Sequence, residues 1–339
     1  MCRQVDTPSG VTVSTPPLVS VVLGPPTVLV ARLLPGQLVG DLRRASYRLA
    51  GHLGAVALRI EPRGLTYARI ELLAADPLDA VLPLDLTPAR GGVLLGRDEA
   101  GCEVRVEPVE LPHLVVQGQT RSGKSAFLYA LIAQLASDDD VTVAGVDPSG
   151  LTLRPFAGTR HGEHQTCGLA DLDRIEKVLA GLVAEMDHRL TVMPADRDIM
   201  ATGPGVPLIV VVLDEYPATL RALDAADTKQ GKRVRALVAR LLAESHKVGF
   251  RVVIAAQRAE AAIVGAAERA QAAGRLSFRV DSPDTVKLLH SDADDLAGAH
   301  TTAPPGIALL TWPGRPLSRI RAPWIGSYAA FVSAVERGA

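Results

Sequence analysis

The chain has 339 residues, and its 36 Lys and Arg against 37 Asp and Glu leave a formal charge of -1. With 47% apolar and 22% charged residues it can bury a sizeable core, which excludes global disorder. Near-zero net charge excludes a small basic protein that coats nucleic acid but leaves room for a local basic surface.

Residues 1–26 are rich in Pro, Ser and Thr and read as a flexible arm without the charged and apolar regions of a signal peptide. Residues 28–34 then form a short strand. Residues 38–53 carry Leu38, Leu42, Tyr47, Leu49 and Leu53 at helical spacing. Residues 56–60 and 66–72 alternate as half-buried strands around a Pro62-Arg63-Gly64 turn. A loop with Pro88 and Gly91-Gly92 leads to a hairpin of residues 93–96 and 103–106, closing a small α+β domain over 27–110.

From residue 111 to 339 the pattern changes. Apolar runs at 114–116, 141–146, 208–213, 252–256, 276–280 and 307–310 alternate with long helical stretches. Near-continuous apolar strands between helices predict an α/β fold with a mostly parallel central sheet buried on both faces. None of these runs approaches the roughly 18–20 residues that span a bilayer. Cys2, Cys102 and Cys167 are too few and too scattered for a disulfide framework. The sequence therefore reads as soluble and cytoplasmic.

The strongest motif is Gly118-Gln119-Thr120-Arg121-Ser122-Gly123-Lys124-Ser125, which fits G-x-x-x-x-G-K-[ST] between a strand and a helix. Gly118 and Gly123 let the backbone curl so that successive N–H groups and the helix N-terminus face phosphates. Lys124 is placed to reach the β- and γ-phosphates of ATP, and the Ser125 hydroxyl to ligate Mg2+. Asp214-Glu215 ends the apolar run 208–213, a second nucleotide motif. Asp214 suits the Mg2+ shell and Glu215 the polarisation of an attacking water, which favours hydrolysis over switch-like binding. Gln257, ending the run 252–256, is the candidate γ-phosphate sensor. His161, His164 and Cys167 have ligand residue types but no fourth ligand, and read as solvated loop residues.

Taken together, LPHLVVQGQTRSGKS (111–125), AGVDPSG (144–150), EMDHRLTVM (185–193), LIVVVLDEY (208–216), GKRVRALVARLLAESHKVGFRVVIAAQR (231–258) and GRLSFRVDSPDT (274–285) resemble the FtsK/SpoIIIE family of DNA-translocating ATPases. The region from about Thr27 to Glu110 also resembles the small domain that precedes the family's motor. The resemblance implies a RecA-like P-loop motor that assembles as a ring, usually a hexamer, around double-stranded DNA. ATP is then hydrolysed between subunits, with an arginine supplied by the neighbour. Arg275 matches the family's arginine at that strand start and is the preferred trans-acting group, with Arg258 second.

Lys229, Lys232, Arg233 and Arg235 form the densest basic cluster near the motor, where the family places a pore loop. They are the candidate DNA contacts, with Arg197 a weaker one. Ser149 stands where many relatives carry a lysine. With no anchor before residue 27 and little chain after 323–325, the short form resembles the transfer proteins of actinobacterial conjugative plasmids and integrative elements. A separate membrane-anchored partner would then recruit it. The alternatives are a protein-secretion ATPase of the same family and a chromosome-partitioning DNA pump.

Overall fold

The computed structural model describes residues 3–7, 10–86, 91–258, 265–294 and 296–338; Cys2 and the Pro88 loop lie outside them. The chain forms two units, one running to Val81 and including Arg97–Glu103, the other made of Leu82–Gly96 and the chain from Val104 onward.

In the first unit four antiparallel strands lie in the order Leu18–Val22, Thr27–Arg32, Tyr67–Leu73, Ala57–Arg63. Alternation along each strand sends Leu29, Ala31, Leu58, Ile60, Ala68 and Ile70 to one face, where Leu42 and Ala50 complete a small core. Leu42 and Ala50 come from two helices, Val39–Arg44 and Ser46–His52, where the helical spacing predicts one. The break falls at Ala45, which leaves helical geometry at φ -97 and ψ 4.

The arm expected over 1–26 also carries regular structure. Arg3–Thr7 pairs with Gly10–Ser14 as a hairpin, and Leu18–Val22 is an edge strand of the small sheet. For the edge strand the physical reason lies in Val19, Val21 and Val22, whose β-branched side chains favour extended backbone despite the neighbouring prolines.

The second unit is built on a ten-stranded sheet. Its order is Gln165–Cys167, Val141–Asp147, Leu208–Leu213, Phe250–Ala256, Leu114–Gln117, Gly274–Phe278, Ile307–Trp312, Arg315–Arg321, Val93–Asp98, Glu103–Val106. The first six strands run parallel, and the next two fold back antiparallel. The 93–106 hairpin, grouped with the small domain on sequence, instead extends this sheet, because Val93, Leu95, Val104 and Val106 belong to the large core.

Burial on both faces explains the unbroken apolar runs. In Leu208–Leu213, Leu208, Val210 and Val212 enter the core shared with the helix Lys124–Ala136. Ile209, Val211 and Leu213 enter the opposite core, against the helices Leu172–Val192 and Thr228–Glu244.

Candidate functional site

The phosphate loop leaves the sheet at the carboxyl end of Leu114–Gln117, between the parallel strands Phe250–Ala256 and Gly274–Phe278. Its path is fixed by backbone bonds: the Gly118 N–H donates to the Ala256 carbonyl (3.2 Å) and the Gln119 N–H to that of Arg279 (2.9 Å). Gly306 N–H donates to the Ser122 carbonyl at 2.8 Å, pinning the far side of the loop. Both glycines are sterically required. A Cβ on Gly118 would lie 2.6 Å from Ser122 Oγ and 2.7 Å from Phe278 Cβ. One on Gly123, at φ 106, would lie 2.6 Å from the Gly306 nitrogen. Ser122 is buried, whereas Thr120, Arg121 and Ser125 are exposed around the N-terminus of Lys124–Ala136. That end of the helix carries unpaired N–H groups and the positive end of the dipole, a ready seat for phosphate.

The acidic pair faces this loop. Lys124 Nζ donates to Glu215 Oε2 at 3.0 Å, with the lysine side chain 9% and the glutamate 23% exposed. Glu215 itself sits at φ 41 and ψ 47, a left-handed conformation uncommon for a residue with a side chain. Such local strain concentrates where a group must be held in one place. Asp214 is partly buried; its Oδ1 accepts the Glu215 N–H (2.9 Å) and its Oδ2 the Thr152 hydroxyl (2.6 Å). Burial pushes its carboxyl above the usual carboxylate range, against the pull of the Thr152 bond and the Lys124 charge.

Gln119, Glu215, Pro217, Arg221, Gln257, Arg258, Val280 and Asp281 line one cleft of about 330 Å³. The structure thus brings Gln257 to the same cleft as Glu215. Arg221 escaped the sequence reading because it lies mid-helix in Tyr216–Ala226, with no motif around it. Thr152 escaped it too, although Asp147-Pro148 at a strand end marks a turn that returns to the neighbouring strand.

Ser125 Oγ and the Asp214 carboxylate are hard oxygen donors of the kind Mg2+ prefers, and each Asp214 oxygen keeps a lone pair free of the bonds above. Among the described residues no group of three His, Cys, Asp or Glu could hold a metal alone. This donor set therefore fits an ion that arrives with phosphates and keeps most of its water.

Other expectations fare differently. Arg275 Nε and both terminal nitrogens donate to the carbonyls of Ala272, Leu289 and Arg269 at 3.1, 3.1 and 2.9 Å. Its guanidinium is occupied within its own chain rather than extended toward a neighbour. Arg258 forms an ion pair with Asp281. In the basic cluster Arg233 binds Glu176 through two nitrogens (2.6 and 2.9 Å), and Arg235 binds Asp224 likewise (2.9 and 2.5 Å). Only Lys229 and Lys232 of that cluster are exposed without an ion pair among the described residues, one helical turn apart at the start of Thr228–Glu244. Arg197 is exposed. His161 is a buried packing residue rather than a solvated one: its Nδ1 accepts the Val143 N–H at 3.2 Å, and burial pushes it down to about 4.

A mostly parallel sheet with a phosphate loop after its central strand, and an acidic pair ending the strand two places away, defines the class of RecA-like P-loop ATPases. Comparison with known proteins places the chain further. Residues 81–200 match the model of the FtsK/SpoIIIE family. It is 26% identical over 328 residues to the DNA translocase FtsK of Vibrio vulnificus (strain CMCP6), covering 83% of this chain and 32% of that one. To FtsK of Treponema pallidum (strain Nichols) it is 29% identical over 206 residues, covering 56% and 24%. The chain thus spans about a third or less of these relatives' length.

Among solved structures, the fold is similar to the pCW3 conjugation coupling protein TcpA in its monomer form with ATPγS. The TM-score is 0.63 at 19% identity, covering 96% of this chain and 93% of that one. It is also similar to EssC (ATPases 2 and 3) from Geobacillus thermodenitrificans, with a TM-score of 0.63 at 14% identity over 78% of this chain and 52% of that one. No helix among the described residues is long and apolar enough to cross a membrane.

Proposed function

We propose that this chain is an ATP-driven translocase of double-stranded DNA that serves plasmid or integrative-element transfer between cells. The observation that carries the reading is the Lys124–Glu215 contact at 3.0 Å across a glycine-shaped phosphate loop, which joins the phosphate-binding and water-activating groups in one site. Similarity to FtsK translocases supports DNA as the moved polymer. Near-complete mutual coverage with a conjugation coupling protein supports the transfer setting.

In this reading the N–H groups at the N-terminus of Lys124–Ala136 and the Lys124 ammonium hold the phosphates. Mg2+ would be held by Ser125 Oγ and, through water, by Asp214, and supplies positive charge to the phosphate oxygens. Glu215 orients and polarises the attacking water, and Gln257 in the same cleft reports the γ-phosphate. Subunits assemble as a ring, a hexamer in this reading, with ATP between neighbours. Lys229 and Lys232 meet DNA phosphates, and a membrane-anchored partner recruits the ring. With Arg275 bound to its own backbone, the exposed Arg121 in the loop and Arg221 in the cleft are candidates to serve the interface.

A likeness in fold to the cytoplasmic domain of the Thermomonospora curvata Type VII secretion ATPase EccC, with a TM-score of 0.55 at 18% identity, favours a second reading, a protein-secretion ATPase. The deciding experiment is the ATPase rate with duplex DNA, single-stranded DNA and no polymer at one fixed salt concentration. Stimulation by duplex alone supports the translocase. Equal rates in all three overturn it and move the assignment to secretion.

A further inference from the structure

We infer that Thr152 is a positioning residue of the nucleotide site, holding the Asp214 carboxylate in one orientation from a loop clamped on Asp147. The inference rests on the nucleotide-site reading above and extends it to residues outside both motifs.

Asp147 ends the strand Val141–Asp147, directly beside Leu208–Leu213, and is fully buried. Its Oδ1 accepts the Ser149 N–H (2.9 Å) and hydroxyl (2.8 Å), and its Oδ2 accepts the N–H groups of Thr152 (2.7 Å) and Leu153 (3.0 Å). Four acceptor positions are filled, so this carboxylate neither takes up a proton from substrate nor ligates an ion; it closes residues 147–153 into a rigid loop.

The loop delivers Thr152, itself 1% exposed, to the acidic pair. The hydroxyl has one hydrogen to donate, and it goes to Asp214 Oδ2 at 2.6 Å, a charge-assisted bond in a site of restricted solvent. Because Oδ1 is held by the Glu215 N–H, the carboxylate cannot turn without losing both bonds. The β-branched Thr152 has little rotamer freedom of its own. Loss of a group that orients the oxygens around a metal in this way typically lowers metal affinity 10–100-fold.

The test uses the full chain and reads binding rather than turnover. A fluorescent, non-hydrolysable ATP analogue is titrated at increasing Mg2+ with wild type, Thr152→Val and Thr152→Ser. Valine keeps the shape and removes the donor; serine keeps the donor. Thr152→Val should need roughly 10–100-fold more Mg2+ for half-maximal binding, with binding in EDTA unchanged, and Thr152→Ser should restore the wild-type midpoint. A folded Thr152→Val chain with the wild-type Mg2+ midpoint overturns the positioning role alone. A wild type indifferent to Mg2+ overturns the nucleotide-site reading and this inference with it. If the valine variant does not fold, Thr152→Ala against Thr152→Ser isolates the hydroxyl, and equal midpoints for those two overturn the role.

Discussion

Replacing Glu215 by Gln tests the site at its most informative bond. The side chain keeps its length, and glutamine at φ 41 bears the same backbone cost, so the substitution isolates charge. At 3.0 Å, and with an effective dielectric of about 20, the Lys124–Glu215 attraction is worth roughly 5 kcal/mol before desolvation. Lys124 stays buried in the variant, so only the burial cost of the glutamate's own charge is recovered, while the glutamine oxygen still accepts from Nζ. The net loss of folding stability should therefore be about 3 kcal/mol, the low end for breaking a buried pair, because the hydrogen bond is kept. Turnover should respond as well: removing a positioned base costs on the order of 10²–10⁴-fold, or about 3–5 kcal/mol of barrier. Nucleotide affinity should move the other way. Lys124 must release Glu215 to reach a phosphate, and a neutral partner releases it more readily. Phosphate release and binding of a labelled nucleotide measure the two effects separately. Turnover within about threefold of wild type, in a folded variant, would refute Glu215 as the base, since even the weakest positioned base contributes about a hundredfold. Weakened nucleotide binding would refute the exchange of partners by Lys124.

Three further outcomes follow from the same geometry. Reversing Lys229 and Lys232 to Glu should weaken duplex binding and reduce its salt dependence by about one unit for each DNA phosphate no longer neutralised. Arg233→Ala and Arg235→Ala should change stability instead, because Glu176 and Asp224 already hold those side chains; equal effects of all four on a filter-binding assay would contradict this division. Arg275→Ala strips donors from three backbone carbonyls and should lower the melting temperature, at about 1–3 kcal/mol per unsatisfied buried group, while leaving ATP turnover of the folded fraction intact. Lost turnover with an unchanged melt would return Arg275 to catalysis.

Acid should also destabilise the fold. Burial pushes His113 and His290 down to about 3 and His161 to about 4, whereas the unfolded chain protonates them near 6.5. Stability is thus whole above about pH 6.5 and falls below it, by about 1.4 kcal/mol per histidine per pH unit, until the folded values are reached. Asp214, raised by burial, works in the opposite sense but is one group against three. A urea midpoint unchanged between pH 7 and 5 would refute the balance.

What the sequence made legible was whatever depends on neighbours along the chain. The loop 118–125 and the pair Asp214-Glu215 are contiguous, and the glycine is dictated by local geometry: Gly123 sits at φ 106, a backbone conformation that side chains rarely adopt. The parallel sheet was legible for a similar reason, since burial on two faces leaves unbroken apolar runs such as 208–213. The fate of a cation depends instead on what lies opposite it. Glu176 is 57 residues from Arg233, and Leu289 is 14 residues from Arg275, so nothing adjacent in the chain signals that these guanidinium groups are taken. The same holds for Thr152, which lies 62 residues from Asp214 and meets it only because two parallel strands set Asp147 and Asp214 side by side. Sequence motifs therefore marked the candidate phosphate loop, and the structure supplied which charges of the basic cluster are held by partners in the same chain. By that criterion the basic helix offers two lysines rather than four cations, and each subunit of the proposed ring would bring a smaller charge to its channel.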